Sequence, residues 1–263
     1  MTVGPVQEIQ VGALTATVLQ LGEISDDLSS WFKADIVTVP EGLSRLPINC
    51  LHVSGSGISI LIDACDPGLY PDVKQTGISI IQSLEIAGIA PESITHVILT
   101  HGHHDHFCGV ATPSKEPVFR SARHILAPQD WGKGTLTPEA QMADGKAADP
   151  SPLEMLFQRE LLDLGKSTVA LPPQINLIEA PGETKGHRVV RLSSDGDVLY
   201  FLADLFHLQS EIDDPKLCPL WTDMTALIES RTHIVTAMRR DNARFLCSHI
   251  STLFSASVFA EHQ

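Results

Sequence analysis

The sequence predicts an α/β protein made of two similar halves, and three observations carry that expectation. Short runs that alternate apolar and polar positions are broken by Gly, Pro and Ser, as strands are. Segments of helical period stand between them. The order strands, helix, strand then comes twice, separated by an insertion. Two sheets packed face to face with helices outside accommodate this order, and other mixed layerings of 263 residues do so too, so the motifs have to decide. One domain is expected over 1–263, with halves at about 1–128 and 165–263 and a lid-like loop and helix inserted at 129–164.

Taken in order, 13–21, 47–54 and 58–63 read as strands, and Ser54, Gly55, Ser56 and Gly57 turn the last two into a hairpin. A helix is predicted over 72–88, where Val73, Ile78, Ile81, Leu84 and Ile86 recur near helical spacing and Gly88 suits the end. Segment 94–100 reads as a buried strand leading into a histidine cluster, and 122–127 as another strand. Positions 128–152 are rich in Gly, Pro and small residues and read as a loop or lid. The spacing of Leu153, Leu156, Phe157, Leu161 and Leu164 predicts a helix over 152–164 with Ser151 as its cap. Strands at 175–180, 188–192 and 198–203, a long helix at 223–240 and a strand at 244–248 complete the second half.

A hydrophobic content of 43% supplies a core, and the formal charge of −14 would repel a phosphate backbone. The acidic residues are scattered, so no nucleic-acid partner is expected. No stretch approaches the roughly 18 apolar residues of a membrane span, and the first ten residues lack a basic start and an apolar run. Cys50, Cys65, Cys108, Cys218 and Cys247 form no CxxC pair and sit in apolar segments, which fits a reducing, cytoplasmic setting.

The densest chemistry lies in Thr100-His-Gly-His-His-Asp-His106, directly after a buried strand. Neutral imidazoles and a carboxylate are the donors that borderline ions such as Zn²⁺ take, and a tight turn can aim several at one point. An affinity tag would lie at a terminus and lack the aspartate. Three further segments set histidine or aspartate at strand ends: Pro181-Gly-Glu-Thr-Lys-Gly-His187, Phe201-Leu-Ala-Asp204 and Cys247-Ser-His249. Each alone reads more simply as a surface or core histidine or a helix cap.

The run from Thr100 to Gly109 resembles the T-H-x-H-x-D-H-x-x-G signature of the metallo-β-lactamase superfamily, and the three later segments resemble that family's remaining motifs in order. The likeness spans nearly the whole chain and touches the lactonase, glyoxalase II and methyl parathion hydrolase-like branches. It implies the family's four-layer αβ/βα sandwich, two mixed sheets face to face with helices outside. It also implies a dinuclear centre in which His101, His103 and His187 hold one ion, Asp105, His106 and His249 hold the other, and Asp204 bridges them. Asp63, ending Ile60-Leu-Ile-Asp63, matches an upstream aspartate that supports the ligands. Two divalent ions are implied, zinc first, with iron or manganese as alternatives.

Such a centre implies hydrolysis of an ester or lactone carbonyl of a small molecule by a hydroxide bridging the ions, with thioesters or phosphotriesters as alternatives on the same site. Asp105 is the candidate proton shuttle. His207 stands three residues past Asp204, where lactonase members often carry tyrosine; it is either an oxyanion donor or an ordinary helix-start histidine. Glu183 departs from the family's usual histidine at a position that does not usually bind metal. His104 is expected to point away; His52, His96, His124, His233 and His262 are not expected to be ligands. Cys108 and Cys247 lie near the motifs and are weaker ligand candidates, and Trp31, Phe32, Trp131 and Phe157 could wall a pocket. An iron-dependent oxidoreductase of the same fold and a non-catalytic metal-binding module are the rival readings; a homodimer is compatible with either.

Overall fold

When successive residues of a strand are all apolar, both faces of its sheet must be covered. The computed structural model, which describes residues 4–32, 43–69, 76–131, 152–165 and 170–259, shows two sheets covered in this way. The first is built from β1 (Gly4–Val11), β2 (Leu14–Asp27), β3 (Leu43–Gly55), β4 (Ile58–Ile62), β5 (Thr76–Gly77), β6 (His96–Ile98), β7 (Arg123–Ile125) and β8 (Leu162–Asp163). Its order is β1-β2-β3-β4-β6-β7-β8, with β5 paired to β2. The second, from β9 (Ile175–Glu179), β10 (Arg188–Ser194), β11 (Asp197–Phe201), β12 (Arg244–Cys247) and β13 (Ile250–Ser255), has the order β13-β12-β11-β10-β9. The helices are α1 (Ile80–Ile86), α2 (His104–Phe107), α3 (Pro152–Gln158), α4 (Gln209–Asp213) and α5 (Met224–Arg240).

Three clusters of buried side chains fill the spaces between the layers. Ile60, Ile62 and Ile98 of the first sheet meet Leu199, Phe201 and Leu246 of the second in the central core. Their strand neighbours point outward: Leu61 and Val97 pack with Ile80, Leu84, Leu153 and Leu156 of α1 and α3. On the far side Val198, Tyr200 and Phe245 pack with Leu227, Ile234 and Met238 of α5. The result is the four-layer sandwich of two mixed sheets that the motifs implied.

The topology also decides where chemistry can gather. β4, β6, β7 and β8 run parallel in the first sheet, as β11 and β12 do in the second. Each set therefore delivers its C-terminal ends to one edge of the sandwich, the usual place for a site in α/β folds. Among the described residues no helix is long and apolar enough to cross a membrane.

Several elements differ from expectation for local reasons. The helix expected over 72–88 begins only at Ile80, because the Ser79 hydroxyl accepts from Gln82 N and the Gln82 side chain accepts from Ser79 N, a reciprocal cap that sets the start. Thr76 and Gly77 pair with β2 instead, and 70–75 lie outside the described residues. The helix expected over 152–164 ends at Gln158; Glu160 takes a left-handed φ of 58° and the chain returns as β8 beside β7. Ser151 and the lid reading of 132–151 lie outside the described residues. β1 and β13 were not anticipated, since polar residues interrupt the apolar pattern of both.

Candidate metal centre

Two strand ends turn through left-handed backbone, a conformation that L-residues seldom adopt. Asp63, just past β4, has φ 60°, and Ala203, just past β11, has φ 49°. The first turn aims a buried carboxylate back at the histidine loop. Asp63 Oδ1 accepts from Thr100 N at 2.8 Å, and Oδ2 accepts from Thr100 Oγ1 at 2.9 Å and lies 2.8 Å from His106 Nδ1. His106 is thereby oriented with Nε2 towards the interior of the site. The second turn sends Asp204 out of the sheet.

Register explains why distant segments meet there. Val190 pairs with Phe201, so three residues back and three forward bring His187 opposite Asp204. Phe201 pairs with Leu246 in parallel, which brings Asp204 level with His249. His187 Nδ1 lies 3.0 Å from Ala180 O, and its Nε2 accepts from Asp204 N at 3.3 Å. His249 Nδ1 sits 2.8 Å from Pro47 O on β3, so the last histidine of the set is oriented by the opposite sheet.

Asp130, which the sequence reading passed over, joins the two motif loops. Its carboxylate accepts from Gly102 N at 2.9 Å, Thr184 Oγ1 at 2.6 Å and Gly186 N at 2.8 Å. The approach is close enough to require glycine at 186, where a Cβ would stand 2.7 Å from both Ala127 Cβ and Asp130 Cγ.

Two overlapping groups of donors result, each with its atoms within 4.8 Å of one another: His101, His103, Glu183 and Asp204, and Asp105, His106, Asp204 and His249. Asp204 is common to both. Its Oδ2 lies 3.6 Å from His101 Nε2, 3.1 Å from His106 Nε2 and 3.4 Å from His249 Nε2, while Oδ1 is buried with no hydrogen-bond partner. Asp105 Oδ2 is 3.4 Å from His249 Nε2. His187 falls in neither group, although its ring centroid is 5.1 Å from that of His101.

The electrostatics suit cations. Burial and neighbouring imidazoles push His101 well below the ordinary imidazole range, which leaves a neutral ligand. Burial opposes protonation of His249 too, yet Asp204 and Asp105 outweigh it and push its pKa up to about 9. His106 is raised well above the usual range against the same burial, by Asp204, Asp105 and Asp63. These carboxylates hold protons on the imidazoles around them, a role that divalent ions can take over. A buried, unpartnered carboxylate oxygen amid neutral and displaceable imidazole donors is what such ions require, so the residues present fit two metals.

His207 stacks on His249, with centroids 5.9 Å apart and planes 5° from parallel; its Nε2 is 3.5 Å from Asp204 Oδ2 and 3.7 Å from Glu183 Oε1. Its other nitrogen lies 3.4 Å from Glu211 Oε2, and Glu211 is itself held by Arg231 Nη2 at 2.5 Å. Neither member of that buried pair was singled out from the sequence. Trp31 and Trp221 stand edge-on to His207 at 5.9 and 5.7 Å. Of the other proposed wall residues, Phe32 is core, while Trp131 and Phe157 pack on each other at 4.8 Å. His104 turns to Phe107, Cys108 lies 3.7 Å from Cys65, and Cys247 joins the outer core, so none of these three enters a donor group.

A sequence model described as the metallo-beta-lactamase superfamily matches residues 43–249. No curated protein matches significantly. Among solved structures, AidC, a dizinc quorum-quenching lactonase in complex with a homoserine product, is 24% identical with a TM-score of 0.73, over 94% of this chain and 91% of that one. A probable metal-dependent hydrolase from Staphylococcus aureus is 18% identical with a TM-score of 0.75, over 94% and 93%. The hydrolase AbOPH, of the beta lactamase superfamily, is 18% identical with a TM-score of 0.70, over 95% and 91%. At these identities the structures speak for the fold.

Proposed function

We propose that this chain, which belongs to the metallo-beta-lactamase superfamily, is a metal-dependent hydrolase that cleaves an ester or lactone carbonyl of a small molecule at a two-ion centre. The observation that carries this reading is the pair of donor groups that share Asp204. His101, His103 and His187 are assigned to one ion, Asp105, His106 and His249 to the other, and Asp204 to both. When bound, two such ions supply a water activated at neutral pH and Lewis-acid polarisation of the scissile carbonyl.

The chain's own residues do the rest. Asp63 fixes the ring of His106, and Pro47 O that of His249, so neither must reorganise during the reaction. His207, its ring set between Glu211 and Asp204, is placed to donate from Nε2 to the oxygen that gains charge. Asp105 is assigned the proton transfer to the leaving group, because its side chain is 13% exposed where that of Asp204 is 4%. Trp31 and Trp221, each with its indole N–H held by a carboxylate, present a fixed aromatic wall beside His207 for the apolar part of the substrate. That wall supports an acyl or aryl ester or a lactone more than a small charged thioester.

Metal content should be measured on protein purified without added metal, and the same sample assayed on lactones, aryl esters, thioesters and phosphotriesters before and after chelation. About two ions per chain with chelator-sensitive ester or lactone hydrolysis is the expected result. A single iron, or two ions with no turnover on any of the panel, would overturn the assignment.

A further inference from the structure

We infer that Glu183 is an additional carboxylate ligand of the ion held by His101 and His103, and that it couples occupancy of that position to Trp221. The inference rests on the two-ion reading above and adds to it a donor outside the expected set. Glu183 is 5% exposed, and its Oε1 lies 3.1 Å from His103 Nδ1, the atom that is itself 3.0 Å from His101 Nε2. Oε1 also accepts from Trp221 Nε1 at 2.7 Å. Oε2 is buried and has no hydrogen-bond partner.

A buried carboxylate with an idle oxygen is costly unless a cation stands near it. The structure offers no arginine or lysine in contact with it among the described residues; its neighbours are imidazoles and one indole. Geometry supplies the rest, since its ligand atom shares one 4.8 Å neighbourhood with those of His101, His103 and Asp204. Three carboxylates would then face two divalent ions, leaving the protein-bound centre near +1, about one charge lower than a set with Asp105 and Asp204 alone. An extra oxygen donor also moves that position towards harder ions such as Mn²⁺.

The tryptophan gives the proposal a second readout. Trp221 is 46% exposed, and its ring stands 5.0 Å from Trp31 at the wall of the site. An ion drawn to Glu183 changes the acceptor of the Trp221 N–H, so filling this position should change indole emission.

The test titrates wild type and Glu183→Gln, first stripped by chelator, with Zn²⁺ and with Mn²⁺ against a chromogenic chelator. The amide keeps the volume and can still accept from Trp221. Wild type should take two ions, and the variant should keep one affinity while losing at least about 100-fold in the other, beyond what removal of an outer partner usually costs. Unchanged affinity for both ions, or equal weakening of both, overturns the inference while leaving the two-ion function standing. Failure of wild type to bind two ions removes both. Should Glu183→Gln not fold, emission decides: one binding step in wild type should shift it, and Trp221→Phe should abolish the shift with two ions still bound. Flat emission through both steps overturns the proposal.

Discussion

His124 sits in β7 with no exposed surface, at a point where a charge has nowhere to go. Burial, the largest influence on it, pushes its pKa down from 6.5 to about 4. Between those values the unfolded chain binds a proton that the folded one refuses, so stability is complete above about pH 6.5 and is lost as pH falls towards 4. The share due to this residue is about 2 kcal/mol between pH 7 and pH 5. His124→Leu should remove that share, which denaturant titrations of the metal-free protein at the two pH values will measure as a flatter dependence. A variant as acid-sensitive as wild type would show that the proton goes elsewhere. Residues of this kind also mark what the sequence can tell. His101 to His106 announced themselves because four imidazoles and a carboxylate crowd one turn, whereas His124 and His106 are the same letter, and only the carboxylates around His106 make it different. Asp130 and Glu211 carried no signal at all. Each is a single carboxylate that also takes a partner far along the chain, Gly186 for Asp130 and Arg231 for Glu211, and a distant partner leaves no local pattern to read.

Between elements, the buried pair of Glu211 on α4 and Arg231 on α5 ties two helices of the second half together. Arg231 donates to Glu211 Oε1, to Leu205 O at 2.8 Å and to Leu217 O at 2.6 Å, while Glu211 Oε2 accepts from His207 N and Leu208 N at 2.7 and 2.9 Å. Arg231→Met should therefore destabilise the protein by about 3–5 kcal/mol, because it strands a charge in the interior. Chemical denaturation will measure this; a loss below about 1 kcal/mol would mean that water or a proton reaches Glu211 easily. The helix holding Arg231 was legible from period and from Asp223, whose side chain accepts from Ala226 N as a cap. The shorter helices were legible only in part. Leu161 and Leu164 continue the spacing of α3, yet Glu160 turns the chain left-handed and pairing with β7 claims Leu162 and Asp163 for the sheet. Local period could not foresee a strand chosen by a neighbour.

Across the whole molecule, the assigned donors come from both sheets: His101, His103, Asp105 and His106 follow a strand of the first, and His187, Asp204 and His249 border strands of the second. Ions that bind this edge bind the folded chain and not the unfolded one, so they stabilise it by mass action. Chelation should lower the thermal midpoint, by about 4 °C or more if the ions contribute more than about 2 kcal/mol. A midpoint unmoved by chelator would show that the site gives nothing to the fold. The four-layer order was readable only through the family likeness of the motifs, since the run of elements alone allowed other layerings, and the central core of Ile60, Ile98, Leu199 and Phe201 realises it. The crossing of β8 into the first sheet was not readable, and it has a further consequence. A chain severed between residues 131 and 152 would leave the histidine loop and Asp130 on one piece and Glu183, His187, Asp204 and His249 on the other. The second piece would also keep β8 and α3, whose places are in the layers of the first. Each fragment thus retains half of a chelating centre and a template for docking its counterpart, so reassembly of the two would regenerate the ion site only in the native alignment.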